Sequence, residues 1–81
     1  MRVRVRFEDE VEIVKSTLPR TVVIKTKHPS IVKYIIRDRL KKTEFMVEVL
    51  ASKSAVTVSF FDDESRGREI EIVERALAHE F

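Results

Sequence analysis

Apolar and polar residues alternate at the start of the chain: Val3, Val5 and Phe7 stand between Arg2, Arg4 and Arg6, the period of a half-buried strand. Val11 and Ile13 resume the alternation after Glu8-Asp9-Glu10, read here as an acidic turn, so the first fifteen residues predict a hairpin. A helix through Val11, Val14 and Leu18 is the competing reading of 9–18. Pro19 ends either element, and Thr21-Val22-Val23-Ile24-Lys25-Thr26 is β-branched enough to be a strand.

His28-Pro29-Ser30 then marks a helix start, because proline fits the first turn, where its missing N–H has no intrahelical partner. Over 31–42 the apolar residues Ile31, Val32, Ile35, Ile36 and Leu40 gather on one side at helical spacing, and Lys33, Arg37 and Lys41 line the other. Two further alternating runs, 43–50 and 55–61, are joined by the short polar loop Ala51-Ser52-Lys53-Ser54, which predicts a second hairpin. Asp62 and Asp63 are candidate caps of a last helix with Ile70, Val73, Leu77 and Phe81 on one stripe and Glu71, Glu74 and Arg75 off it.

The element order is β(β)βαββα, which predicts an α+β fold: a mostly antiparallel sheet with two helices on one face. A helix crossing from the strand at 21–26 to the strand at 44–50 also fits a split βαβ arrangement. No linker, repeat or low-complexity tract divides 1–81, so it reads as one domain, a βαββα core over 21–81 extended by an N-terminal hairpin or strand over 1–20.

Composition sharpens this picture. With 81 residues, 43% of them hydrophobic, the chain supports one small core, and small domains bury a modest share of their surface, which favours association with a partner. No run approaches the ~20 apolar residues that span a bilayer and the N-terminus lacks a signal peptide's apolar stretch, so a cytoplasmic protein without membrane contact is expected. Cysteine, Asn, Gln and Trp are absent and 37% of residues are charged, the composition of hyperthermophile proteins. The charge is segregated. Nine basic residues and one acid give 15–42 a net +8, while 43–81 carries −5 and 1–14 carries −1. A basic and an acidic surface are therefore expected on one small molecule.

Catalytic constellations are scarce. Gly67 is the only glycine, so no phosphate-cradling loop exists. His28 and His79 lie far apart with no paired-ligand spacing, so neither a metal site nor a cofactor is expected. The serines fall in turns, and Asp62-Asp63 reads first as a pair of capping carboxylates. A non-enzymatic protein follows. The basic residues carry more: Lys15, Arg20, Lys25 and Lys27 from the strand region with Lys33, Arg37 and Lys41 from the helix would make a field suited to phosphate contacts without base reading, although charged helix faces are commonly just solvated. Tyr34 and the pair Phe60-Phe61 are the available stacking aromatics, with core packing the simpler role of the phenylalanines. Arg39 falls among the apolar positions of the first helix and Ile72 on the charged side of the second, so Arg39, Ile72, Phe60 and Phe61 are candidates for a protein interface.

The series VVIKTKHPSIVKYIIRDRL, FMVEVL, AVTVSFF and DDESRGREIEIVERAL resembles the small dimerisation subunit of the KEOPS complex, or its archaeal paralogue, over about three-quarters of the chain, 21–81. The resemblance implies a non-catalytic accessory subunit of an archaeal assembly that installs the threonylcarbamoyl group on a tRNA adenosine. Such a subunit forms a homodimer or a heterodimer with a paralogue, contacts the catalytic Kae-type subunit and supports tRNA binding. It places Arg66 and Gly67 at the family's Arg-Gly step, which adds Arg66 to the nucleic-acid candidates. The family's polar residue one turn later is here Ile70, and the first twenty residues have no counterpart in it. From the residues alone, a stand-alone nucleic-acid-binding domain that uses the basic stripe is the alternative.

Overall fold

The computed structural model describes the backbone of residues 2–5 and 8–79 and the side chains of 11–79. Five strands and two helices follow one another as β1 (Arg2–Val5), β2 (Glu8–Lys15), β3 (Thr21–Lys25), α1 (Pro29–Leu40), β4 (Val47–Ala51), β5 (Ala55–Phe60) and α2 (Glu69–Leu77). The strands form one sheet in the order β1-β2-β3-β5-β4, and every neighbouring pair is antiparallel. Because β5 runs against both β3 and β4, those two are parallel, and α1 crosses between them: this is the split βαβ unit.

The predicted α+β class, with two helices on one face, is therefore the observed one. Register explains which face is buried. Ile13 pairs with Ile24, Ile24 with Val56, Val22 with Val58 and Val58 with Val49, so these side chains point to one side, where Val11 and Phe60 join them. Helix α1 lies over β4 and β5, α2 lies over β1, β2 and β3, and the two helices meet each other. Their buried residues, Val32, Ile36 and Leu40 from α1 and Ile72, Val73, Ala76 and Leu77 from α2, close the core.

Several expectations change. Strand β2 spans 8–15, so Glu8-Asp9-Glu10 lie in the strand and the helical reading of 9–18 fails. Pairing with β3 along Glu12–Lys25, Ile13–Ile24 and Val14–Val23 buries Val11 and Ile13 at strand spacing, whereas the helical stripe would have buried Leu18, which is 63% exposed. Strand β4 begins at Val47, not Thr43, because the Thr43 hydroxyl donates to the Leu40 carbonyl at 2.6 Å and accepts from the Phe45 N–H at 3.2 Å, closing a turn after α1.

Helix α2 starts at Glu69, so Asp62 and Asp63 do not cap it. The Asp62 carboxylate instead accepts the Ser65 N–H at 2.7 Å and the Met46 N–H at 2.8 Å, capping one tight turn that Gly67, at φ 80°, brings to an end. Ile31 is 45% exposed and leaves the α1 core stripe. Ile72 and Phe60 are buried core residues, not interface residues: the apolar arc of α2 is wide enough to include Ile72, and Phe60 ends β5 on its helix-covered face. Phe7 and Phe81, assigned to strand and helix stripes from the sequence, lie outside the described side chains. Among the described residues no helix is long and apolar enough to cross a membrane.

Candidate nucleic-acid interface

Helix α1 presents the most concentrated basic surface. Pro29 opens it, and the Val32 N–H returns to the His28 carbonyl at 3.0 Å to start the ladder. Once Val32, Ile36 and Leu40 turn inward, the spacing of 3.6 residues per turn leaves Ser30, Lys33, Tyr34, Arg37, Asp38 and Lys41 along the outer side, where they line one shallow groove. Tyr34 stands 69% exposed among the cations. Lys41 reaches Asp38 at 3.3 Å, an exposed pair that contributes little. No carboxylate among the described residues pairs with Lys33 or Arg37, so their charge faces solvent without local neutralisation.

The remaining sequence candidates are dispersed. Lys25 ends β3 on the face away from the helices and pairs with Glu12 across the strand at 3.8 Å. Lys27 is exposed in the link to α1. Lys15 ends β2 beside the start of α2, in a cleft shared with Thr21, Gly67, Glu69 and Glu71. Arg66 is exposed and pairs with Asp63 at 3.4 Å. Arg39 leaves the α1 groove and contacts Nδ1 of His79 beyond the end of α2, which accounts for its place among apolar positions without an external partner.

Arg20 is a structural clamp. Its Nε donates to Glu69 Oε2 at 2.8 Å, one Nη donates to the Asp62 carbonyl at 2.6 Å and the other to the Ser65 hydroxyl. The guanidinium fork thus ties the β2–β3 turn to the segment between β5 and α2, and it sustains Arg20 in the left-handed region at φ 59°. Burial opposes the ionised form of Glu69, yet the Arg20 bond, the Glu69 and Gly67 N–H groups and the Arg20 charge outweigh it and hold the carboxyl below its ordinary value. Asp62 is likewise held low: burial acts against its charge, and the Met46 and Ser65 N–H donors with the Ser65 hydroxyl prevail.

The sheet face opposite the helices carries a second surface, of which only Phe61 is among the interface candidates read from the sequence. Val14 pairs with Val23, Val23 with Thr57 and Thr57 with Leu50, so these four form one row across four strands on the uncovered side. Leu50 is 57% exposed, and Met46 and Phe61, joined by a 2.8 Å bond from the Phe61 N–H to the Met46 carbonyl, lie exposed at the end of the same strand pair. The signal was present in Val22-Val23-Ile24, where three successive apolar residues cannot all face one side of a strand. Among the described residues no three His, Asp or Glu side chains gather as metal ligands.

Comparison with protein-family models, with curated proteins and with solved structures finds no match to this chain.

Proposed function

We propose that this protein is a non-catalytic accessory subunit that holds RNA by its phosphates through the outer face of α1. The observation that carries this reading is the alignment of Lys33, Arg37 and Lys41 on one exposed helix face, with Asp38 the single acid in the groove. Cations spaced one helical turn apart neutralise a phosphate backbone without reading base edges, which suits a subunit that supports binding while another subunit selects and modifies the nucleotide. By its resemblance to the small KEOPS subunit, the assembly is an archaeal tRNA-threonylcarbamoylating complex and the RNA is tRNA. The open sheet face, with its apolar row ending at Leu50, is the protein contact, to a second copy in the isolated protein and to the catalytic subunit or a paralogue in the assembly.

Titrating tRNA with the protein over a range of salt tests this. Three phosphates neutralised predict a log–log slope of about −2 to −3. Changing Lys33, Arg37 and Lys41 together to Glu abolishes binding. A slope near zero, or tRNA binding that survives the triple change, refutes the α1 interface. Light scattering of the protein alone and mixed with the KEOPS subunits separates the accessory subunit from a stand-alone binding domain: the latter stays monomeric and co-elutes with none of them.

A further inference from the structure

We infer that Tyr34 is a stacking platform for an unpaired nucleobase, so the α1 site prefers single-stranded or looped nucleic acid to a continuous duplex. The inference deepens the proposed RNA-binding role and rests on it. Tyr34 is 69% exposed, and its helical position puts it one turn from Ser30 on one side and from Arg37 and Asp38 on the other, with Lys33 adjacent and Lys41 a further turn on. The ring therefore stands in the same groove as the three cations.

A strand held by its phosphates at Lys33, Arg37 and Lys41 brings its bases alongside the phenol. In a duplex the base faces are covered by their neighbours and the ring gains nothing; in a loop or a free strand a base is available to stack. The Tyr34 hydroxyl and the Ser30 hydroxyl, exposed beside it, add donors and acceptors that every base edge or ribose can meet, so the site is tolerant of sequence. Phe61, the other large aromatic exposed among the described residues, lies on the open sheet face and shares no groove with these cations.

The chain supplies its own probe. Tyr34 is the only tyrosine and tryptophan is absent, so intrinsic tyrosine emission reports this position alone. Three titrants are compared on the full-length protein: a mixed-sequence single-stranded oligoribonucleotide, the same strand in a duplex, and inorganic polyphosphate. The expected result is that all three bind, that the single strand binds tightest, and that it alone quenches the emission. Tyr34→Ala then weakens single-strand binding about tenfold, the effect of losing one stacked base, and leaves polyphosphate binding unchanged, while Tyr34→Phe keeps the single-strand preference. RNA binding without quenching, or a Tyr34→Ala effect equal for single strand and duplex, overturns the stacking role and leaves the phosphate contacts standing. No binding of any of the three, with binding of poly-glutamate instead, overturns both the stacking role and the RNA reading in favour of an acidic protein partner.

Discussion

The Arg20 Nε donates to Glu69 Oε2 at 2.8 Å across 49 positions of sequence, joining the turn before β3 to the first residue of α2. The pair is mostly shielded, with side chains 19% and 17% exposed, and the other two branches of the guanidinium hold the Asp62 carbonyl and Ser65 Oγ. A planar fork of donors meets three acceptors in different directions, which an ammonium does not reproduce.

Arg20→Lys should therefore destabilise the domain by about 2 kcal/mol, the scale of losing charge-assisted hydrogen bonds to partly buried acceptors. Chemical denaturation reads this directly. The folded variant should bind tRNA nearly as the parent does, since Arg20 is absent from the α1 groove. A loss of binding comparable to that of the α1 triple change would return Arg20 to the RNA surface.

The same cluster should contribute to the domain's acid limit. Both Asp62 and Glu69 have carboxyls held below their ordinary values in the folded protein. A lowered folded pKa means the unfolded chain takes up the proton first, so the stabilisation is complete above the ordinary carboxylate range and is lost as pH falls through it toward the folded values. Stability should hold level from neutral pH to about 5 and decline below about 4. Asp62→Asn with Glu69→Gln should lower the neutral-pH stability and flatten that decline. An unchanged acid limb in the double variant would show that other carboxylates govern it.

Helix α2 offers a contrast between its buried and outer residues. Ile72→Ala and Leu77→Ala, each removing a fully buried aliphatic side chain, should each cost about 2–5 kcal/mol. Reversing Glu71 and Glu74 to Lys should cost within about 1 kcal/mol, since Glu71 is exposed and its 3.4 Å pair with Arg68 lies at the surface. Thermal melts decide: a charge reversal as damaging as Ile72→Ala contradicts the helix orientation.

Leu50 tests the uncovered sheet face. Leu50→Glu places a charge at the end of the Val14–Val23–Thr57–Leu50 row without touching the core, so the melting midpoint should stay close to the parent's. Light scattering should show the parent as a dimer and the variant as a monomer. A parent that is monomeric alone and with every KEOPS subunit, or a variant that still associates, rules this face out as the contact.

Local pattern alone was enough to determine most of the element order, but it left 9–18 open between strand and helix, which pairing with β3 decided for the strand. Strict alternation marks β1 and β5, a β-branched run marks β3, and Pro29 with helical spacing marks α1, whereas in β2 only Val11 and Ile13 alternate before Val14 breaks the pattern. Basic residues at 33, 37 and 41 follow from the same period, so the candidate interface was legible as a stripe. Boundaries that depend on side-chain hydrogen bonding were less legible: Thr43 competes with β4 for backbone groups, and Asp62 caps a short turn seven residues ahead of α2. Only the tertiary structure separated Arg20 from the basic field, since its three acceptors come from positions 42 to 49 residues away. It alone decided that Ile72 is core, that Phe60 and not Phe61 is the core member of the phenylalanine pair, and that Leu50 faces outward, because burial depends on which sheet face the helices cover. Periodicity tells which residues share a side, and long-range packing tells which side meets water.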